Sequence, residues 1–226
     1  MNDSDQSPRS RRERPAKPAL TRQGIIDVAL VILRDEGLSK VTMRRIAAVL
    51  DTGPASLYVY VRNTEDLHAQ ILDALLAPVT TPTAGTWRER LKALLASYRD
   101  VLFAHPEIAR MALSTHPSGP HYLALVDAIL GLLAEGGVSD RAAAWGVDLL
   151  LLHPNAVAVE QSAPESFSHK PDELSSLGTK IAEADAKRYP HLARLSAELV
   201  SGDGQARSDW AFDVLVDGIL ARTSSS

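Results

Sequence analysis

Residues 42–60, TMRRIAAVLDTGPASLYVY, decide the fold of the N-terminal part of the chain, because their pattern predicts two short helices joined by a tight turn. In the first helix, Ile46, Ala47 and Leu50 recur at the spacing of one buried helical face. Thr42 stands just before that helix, where a side-chain hydroxyl is favoured as an N-cap. This half of the stretch therefore predicts a capped amphipathic helix.

The second half of the stretch contains a turn followed by a new helix. Asp51-Thr52-Gly53 supplies the turn, and we expect Gly53 to take the positive φ that a helix end often needs. Pro54 fits the first turn of a second helix, because the N–H that it lacks has no helical partner there. A helix from Pro54 to Tyr60 that buries Leu57 leaves small and hydroxyl-bearing residues facing outward, which suits an approach to DNA. The stretch indicates a helix-turn-helix, and an ordinary helical hairpin is the alternative.

Charge is distributed unevenly along the chain. Between Arg9 and Arg62, eleven Lys or Arg residues stand against five Asp or Glu residues, whereas the whole chain has a net charge of −4. Positive charge is therefore concentrated around the predicted helix-turn-helix, which is typical of a surface that binds nucleic-acid phosphates.

The composition bounds the class of protein. With 45% hydrophobic and 23% charged residues among 226, the chain is long enough for one large or two small globular domains. The absence of cysteine excludes disulfides and thiolate metal sites, and fits a reducing compartment. No apolar run reaches about 18 residues, so we expect neither a membrane span nor a signal peptide, and we expect a cytoplasmic protein.

The sequence predicts three segments. Residues 1–19 form a flexible arm that contains Arg9, Arg11, Arg12, Arg14 and Lys17, and this arm either contacts DNA or remains a solvated tail. Residues 20–78 form a DNA-binding domain, and residues 79–226 form a larger helical domain.

Two further helices flank the central stretch. The first is predicted from Thr21, its cap, to Glu36, and Gly37 follows its end. The second is predicted from about Glu65 to Leu76 and is capped by Asn63 or Thr64. A phosphate oxygen suits Arg62 and the Thr64 hydroxyl near this helix N-terminus.

These residues resemble the N-terminal DNA-binding domain of the TetR family of bacterial transcriptional repressors. The resemblance covers about residues 21–76 and rests on Glu36-Gly37, the TMRRIA run, the small residues around Gly53, Leu57-Tyr58-x-Tyr60 and Leu67. It implies an all-α fold, with a three-helix helix-turn-helix domain followed by a larger helical effector-binding and dimerisation domain. It also implies a homodimer that binds double-stranded operator DNA and releases it when a small molecule binds.

The predicted DNA contacts combine the family's contact positions with the nearby basic and hydroxyl side chains. Many family members have a lysine at the position of Thr64, so a hydroxyl there, or Arg62, would have to contact the phosphate instead. The complete set of predicted contacts is Thr42, Arg44, Arg45, Pro54, Ala55, Ser56, Tyr58, Tyr60, Arg62 and Thr64.

The C-terminal part of the chain is predicted to be helical throughout. Thr86 and Glu89 form a capping box at the start of a helix that reaches about Ala104. Shorter helices are expected at 106–113, after the turn at 117–120, from a Ser139 cap up to Pro154, and at 172–187. The stretches 161–171 and 201–208 are predicted to be loops.

Two helices are more apolar than a single buried face requires. Residues 142–152 are apolar on nearly every side, and residues 210–220 have the same excess. A helix of this kind must be buried on all sides, within its own subunit or against another. The pair therefore predicts a homodimer interface, as the family resemblance also implies.

The larger domain is expected to enclose an effector cavity, with a mostly apolar small molecule as its ligand. For each single residue, ordinary core packing is the alternative. The predicted lining residues are Leu72, Leu95, Tyr98, Phe103, His105, Met111, His116, Trp145, Leu149, His153 and Glu160.

His105 and Glu160 are similar in placement to the residues that serve a metal-chelated drug in tetracycline-repressor domains. Two ligands are too few to hold a cation without the drug's own oxygens, so we expect no resident metal and no cofactor. The sequence lacks the common hydrolase, P-loop and dinucleotide motifs, so we do not expect an enzyme. The alternatives are an enzyme, or a helical small-molecule binder without specific DNA binding.

Overall fold

The computed structural model describes residues 19–113, 117–161 and 171–223. Within these ranges the chain is all-α, as predicted, and contains no β-strand. It divides into two compact units, and the division lies between Arg62 and Asn63. Of the predicted arm at residues 1–19, residues 1–18 lie outside the described residues, and the domain boundary after residue 78 stays a prediction.

The described part of the first unit, from residue 19 onward, contains three α-helices and one short 3-10 helix. The helices are α1 (Arg22–Glu36), α2 (Met43–Val49) and α3 (Pro54–Leu57), and the 3-10 helix is Leu38–Lys40. The Thr21 hydroxyl accepts a hydrogen bond from the Gly24 N–H and caps α1, as predicted. Helix α2 packs against both α1 and α3, and the fully buried side chains of this small core include Ile25, Ala29, Ile46, Leu57 and Val61.

Among its described residues, the second unit contains eight helices. They are α4 (Thr64–Leu75), α5 (Trp87–Ala104), α6 (Pro106–Ala112), α7 (Pro120–Glu135), α8 (Asp140–Gln161), α9 (Pro171–Ala182), α10 (Pro190–Leu199) and α11 (Gly204–Ala221). Asn63 caps α4 through the Asp66 N–H, and the predicted capping box of Thr86 and Glu89 starts α5. Helix α8 is central, because α5, α6, α7 and α11 all pack against it.

Helix α8 differs from the prediction at both ends. The helix continues through Pro154, because the buried residues on both sides of this proline, such as Leu150 and Ala158, keep it packed in the core. The predicted Ser139 cap is wrong, since the Ser139 hydroxyl is buried and makes no hydrogen bond. The Ser139 backbone N–H donates instead to the Thr223 hydroxyl. Residues 140–160 are also long and apolar enough to span a membrane, a property shared by core helices of globular proteins.

Helices α9 and α10 pack against each other. The sequence predicted one helix over 172–187, whereas α9 ends at Ala182 and α10 was missed. None of the α10 residues is buried, and Leu195 and Leu199 remain exposed, so this helix lacks the packed apolar stripe that marks a core helix. The predicted loop at 161–171 falls mostly outside the described residues, and the one at 201–208 is shorter than predicted because α11 begins at Gly204.

Candidate nucleic-acid interface and effector region

The turn between α2 and α3 is built by Asp51 and not by glycine. Asp51 has a φ of 48°, whereas Gly53 has a φ of −82°, so the predicted positive φ at Gly53 is wrong. The Thr52 N–H donates to the Ala47 carbonyl at 2.9 Å, and the Asp51 N–H donates to the Ala48 carbonyl at 3.2 Å. This is the hydrogen-bond pattern of a Schellman C-cap, with aspartate in the left-handed position. An aspartate tolerates that conformation better than most side chains.

The N-terminus of α2 is fixed by the predicted cap. The Thr42 hydroxyl accepts a hydrogen bond from the Arg45 N–H at 3.1 Å. The cap and the Schellman turn together define both ends of a seven-residue helix. Such a short helix would not be stable in isolation, so its buried face and caps hold it in place.

Helix α3 is shorter than predicted. It ends at Leu57, and the N–H groups of Tyr60 and Val61 both donate to the Leu57 carbonyl. Only Leu57 of α3 is buried, while Pro54, Ala55 and Ser56 are exposed. Tyr58 follows the helix and is 54% exposed. The small exposed residues leave the backbone at the start of α3 accessible to a ligand surface.

The two arginines of α2 have different surroundings. The Arg45 guanidinium forms an ion pair with Glu36 at 2.7 Å, and this pairing lowers the pKa of the Glu36 carboxyl. Arg44 is exposed and forms no ion pair with any described residue. A new ligand can therefore contact Arg44 without displacing a carboxylate, whereas Arg45 must first leave Glu36.

The Tyr60 side chain forms a hydrogen bond within the first unit. Its hydroxyl donates a hydrogen bond to the Leu20 carbonyl at 2.7 Å, and the contact is partly buried. Among the other predicted contact residues, Arg62 is exposed at the end of the first unit, and Thr64 is exposed as the first residue of α4.

The predicted effector residues occupy several different environments of the second unit. Leu72, Leu95 and Tyr98 are buried, while His105, Met111 and His153 are half-buried. Phe103, Trp145, Leu149 and Glu160 are exposed, and His116 lies outside the described residues. These residues therefore differ in burial, and the predicted effector contacts stay a prediction.

Tyr98 and Asn155 form a polar pair inside the second unit. The Tyr98 hydroxyl donates to the Asn155 side-chain oxygen at 3.0 Å, and both residues are buried. Burial raises the pKa of the Tyr98 hydroxyl, which keeps the phenol neutral. The pair links α5 to the part of α8 beyond Pro154, and the sequence did not reveal it because asparagine in an apolar helix has no distinctive spacing.

His153 lies at the contact between α8 and α11. Its ring packs edge-on against Phe212, with the ring centroids 5.3 Å apart. Its Nε2 atom is buried without a hydrogen-bond partner, and burial lowers the pKa of the imidazole. No group of three or more His, Asp or Glu side chains that could hold a metal ion occurs in the described part of the chain.

An apolar groove of about 280 Å³ lies between α8 and α11. The two helices approach closely there, because a Cβ added at Gly146 would lie 2.7 Å from Ile219. Trp145 is 64% exposed at this groove and Leu149 is 49% exposed. The groove is lined by Ala142, Trp145, Gly146, Leu149, Val214, Leu215, Gly218, Ile219 and Arg222. Two residues predicted to contact an effector thus lie on an outer face of the unit.

Comparison with known proteins decides the family. Residues 25–71 match the model of bacterial regulatory proteins of the tetR family, and residues 78–223 match the tetracyclin repressor-like C-terminal domain. The chain belongs to the TetR family of transcriptional regulators. It is 32% identical to an HTH-type transcriptional regulator from Saccharopolyspora erythraea, over 94% of this chain and 90% of that protein.

Solved TetR-family structures share the fold of both units. The transcription regulator SCO7704 from Streptomyces coelicolor is 49% identical, with a TM-score of 0.76 that covers 90% of this chain and 96% of the other. The structure of ActR from the same species in complex with actinorhodin is 33% identical, with a TM-score of 0.79, and covers 91% of this chain and 99% of the other. The family match and these relatives confirm the predicted function, a ligand-responsive DNA-binding repressor of the TetR family.

Some contacts that shape the candidate site of this TetR-family chain had no signal in the sequence. Glu36 holds Arg45, and the Leu20 carbonyl holds Tyr60. Phe212 packs against His153. Each of these contacts joins residues that lie far apart along the chain or contact only through the backbone, so local spacing gives no signal for them.

Proposed function

We propose that the exposed residues of α2 and α3 bind the major groove of operator DNA. The observation that supports this proposal is the exposed surface formed by Arg44, Pro54, Ala55 and Ser56, beside a capped turn that fixes both helices. An arginine without a carboxylate partner is suited to the guanine O6 and N7 atoms or to a phosphate. Small residues at the start of α3 let the backbone approach base edges and phosphates.

Phosphate contacts are assigned to the exposed donors around this surface. Tyr58 is 54% exposed and its hydroxyl can donate to a phosphate oxygen. Thr42 and Arg62 of the first unit are exposed as well, and Thr64, which is exposed in the second unit, is a separate candidate donor. Arg45 is assigned a secondary role, since it must exchange Glu36 for phosphate before it contributes to DNA binding.

The regulator is proposed to act as a homodimer through α8 and α11. These helices leave Trp145, Leu149, Leu152, Trp210 and Val214 exposed in the single chain. Exposed apolar surface of this extent is typical of a subunit interface, where aromatic residues carry much of the binding free energy. Two recognition surfaces related by a twofold axis would then contact half-sites about 34–36 Å apart. This activity places the protein in the cytoplasm, where chromosomal DNA is accessible.

The effector is proposed to be a mostly apolar, aromatic small molecule. ActR, which resembles this chain over nearly its whole length, is solved in complex with actinorhodin. Candidate contacts in the second unit are the partly or fully exposed His105, Met111 and Phe103, together with the buried Tyr98 and Leu72. Trp145 and Leu149 are reassigned to the dimer, because they line the outer groove between α8 and α11.

Fluorescence anisotropy with DNA from upstream of the protein's own gene tests this function. We expect specific binding over a random duplex, and Arg44→Ala should weaken that binding. If Arg44 contacts a phosphate, the variant should also reduce the slope of log K against log salt concentration by about one unit. Arg34→Ala is the matched control, because Arg34 is also exposed in the first unit but pairs with Asp35 on α1. Equal losses in both variants would contradict the assigned surface. An enzyme or a non-DNA-binding ligand carrier would show no preference for the upstream fragment.

A further inference from the structure

Two buried polar atoms of α8 and α11 have no hydrogen-bond partner among the described residues. They are Nε2 of His153 and Oγ of Ser208. Ser208 is only 6% exposed, whereas the His153 side chain is half-buried although its Nε2 atom is fully buried. A buried polar atom without a partner is unfavourable, so native proteins keep few of them, and each one calls for a functional explanation.

Both atoms belong to the same part of the contact between α8 and α11. The His153 ring packs edge-on against Phe212, and Ser208 lies one helical turn before Phe212 on the buried face of α11. The close approach of Gly146 to Ile219 occurs seven residues away on each helix, so the two helices run antiparallel. Ser208 therefore lies about 6 Å beyond the level of His153 along this contact.

The chemistry of the two side chains favours a neutral ligand group. Burial lowers the pKa of His153, so its imidazole is neutral, with one nitrogen that donates and one that accepts. The Ser208 hydroxyl can also donate and accept. A hydroxyl group of a ligand matches both side chains, because it too can donate one hydrogen bond and accept another. An ionised group would lose its hydration without gaining an opposite charge from either side chain.

We propose that His153 and Ser208 form a hydrogen-bonding subsite that recognises a hydroxyl group on an aromatic effector, while the Phe212 ring packs against the apolar part of that effector. The inference rests on the proposed effector binding and deepens it, because it names the polar group that the effector carries. A site that hydrogen-bonds a hydroxyl discriminates against analogues without one, since its own buried polar atoms would then stay unpaired. The subsite is thus a determinant of effector specificity.

The test uses the full chain and two probes, 2-naphthol and naphthalene, which differ by one hydroxyl group. We expect the unchanged protein to bind 2-naphthol about tenfold more tightly than naphthalene in equilibrium dialysis. A purely apolar site would have the opposite preference, because naphthalene is the more hydrophobic probe. Ser208→Ala should remove most of the preference for 2-naphthol. In NMR spectra of the histidine side chains, 2-naphthol should shift the His153 Nε2 resonance and naphthalene should not.

Thermal unfolding without any probe gives a second readout. Ser208→Ala should raise the unfolding midpoint by about 2–4 °C, because it removes a buried hydroxyl that has no partner. Ser196→Ala is the matched control, since the Ser196 hydroxyl is partly buried and donates to the Ala193 carbonyl. The control should not raise the midpoint, and it should leave the binding of both probes unchanged.

Three results would overturn the inference. They are a preference for naphthalene, no binding of either probe, and a lower unfolding midpoint in Ser208→Ala, which would indicate that a buried water molecule already satisfies the hydroxyl. Failure of the unchanged protein to bind the upstream DNA would contradict the proposed operator binding instead. The two failures are distinguishable, because both probe binding and unfolding are measured without DNA.

Discussion

The Asp73 carboxylate on α4 accepts a hydrogen bond from the backbone N–H of Tyr122 at 2.8 Å and thereby caps the first turn of α7. Its other oxygen lies 3.1 Å from Nδ1 of His121. Gly119, the residue at the N-cap position of α7, has no side chain to perform this task. The side chain that caps α7 therefore comes from another helix of the second unit and not from the N-cap residue. Asp73 is buried in this position.

Asp73→Ala should lower the free energy of unfolding by about 2–3 kcal/mol, because a buried carboxylate that accepts a backbone N–H is a strong interaction. Asp73→Asn should cost about 1 kcal/mol, since the amide oxygen still accepts from Tyr122. Denaturant unfolding followed by circular dichroism measures both values. Equal stability of Asp73→Ala and the unchanged protein would show that the cap does not contribute.

Two glycine substitutions on or beside α7 should have opposite effects. A Cβ at Gly119 would lie 2.1 Å from Cγ of Asp73, so Gly119→Ala must displace the cap and is expected to cost at least about 2 kcal/mol. A Cβ at Gly131, within α7, meets nothing within 4 Å, so Gly131→Ala should stabilise by about 0.5–1 kcal/mol. Thermal unfolding of the two variants side by side checks the opposite signs.

The Schellman turn after α2 predicts a contrast between Asp51 and Gly53. Asp51→Ala places alanine in the left-handed region and should destabilise the first unit by about 1–2 kcal/mol. Gly53→Ala should change stability by less than about 0.5 kcal/mol, because its φ is −82° and a Cβ there meets nothing within 4 Å. Hydrogen exchange of α2 amides resolves the effect in this unit. A larger loss for Gly53→Ala would contradict the observed turn.

Stability should fall as pH decreases from about 7 to 5. Burial lowers the pKa values of His68, His105 and His153, so these rings are preferentially neutral when folded. The ordinary histidine pKa, which applies to the unfolded chain, is 6.5. The contribution of these rings to the free energy of unfolding is therefore complete above that pH, and it is lost as the pH falls through their lower pKa values in the folded state. Carboxyls with lowered pKa values, such as Glu36 and Glu89, affect the pH dependence of stability only at more acidic pH.

His153→Phe should reduce this pH dependence, because phenylalanine removes the titrating ring while it keeps an aromatic contact with Phe212. The thermal unfolding midpoint, measured at several pH values between 5 and 8, reports the slope. His191→Phe at an exposed site on α10 controls for the added apolar side chain. If His153→Phe leaves the slope of the unfolding midpoint against pH unchanged, His153 does not contribute to the pH dependence of stability.

Trp145→Ala should weaken the dimer by about thirtyfold or more, as expected for an aromatic residue at the centre of an interface. The Arg141 guanidinium stacks 4.3 Å from the Trp145 ring centroid, which helps to hold the ring in place. Sedimentation equilibrium gives the dissociation constant. Leu123→Ala, at a 57% exposed site on α7, should leave it unchanged, and similar effects at both sites would argue against an α8–α11 interface.

The residues that the sequence predicted well act locally. The caps at Thr21, Thr42, Asn63 and Thr86 hydrogen-bond to N–H groups within three residues, so their chemistry is visible in short windows. The buried face of α2 was also predicted, because a period of 3.6 residues is a property of one helix.

The predictions that failed depended on tertiary contacts. Pro154 normally ends a helix, but packing in the core keeps α8 continuous. The positive φ occurs at Asp51 and not at Gly53, because the hydrogen bonds to Ala47 and Ala48 determine which residue occupies the left-handed position. The hydrogen bond from the Tyr60 hydroxyl to a carbonyl 40 positions earlier was not predicted, because such a contact has no local signature, while the predicted DNA contact of Tyr60 stays a prediction.

Two tryptophans of the single chain are exposed, Trp145 at 64% and Trp210 at 69%, and the proposed α8–α11 dimer would connect the stability of this regulator to its abundance. In that dimer another subunit would cover both rings, so the folded state would gain stability as the protein concentration rises. Scarce subunits would then be more accessible to proteases than plentiful ones. Gene dosage would thus become an input to the regulatory circuit, alongside any small molecule.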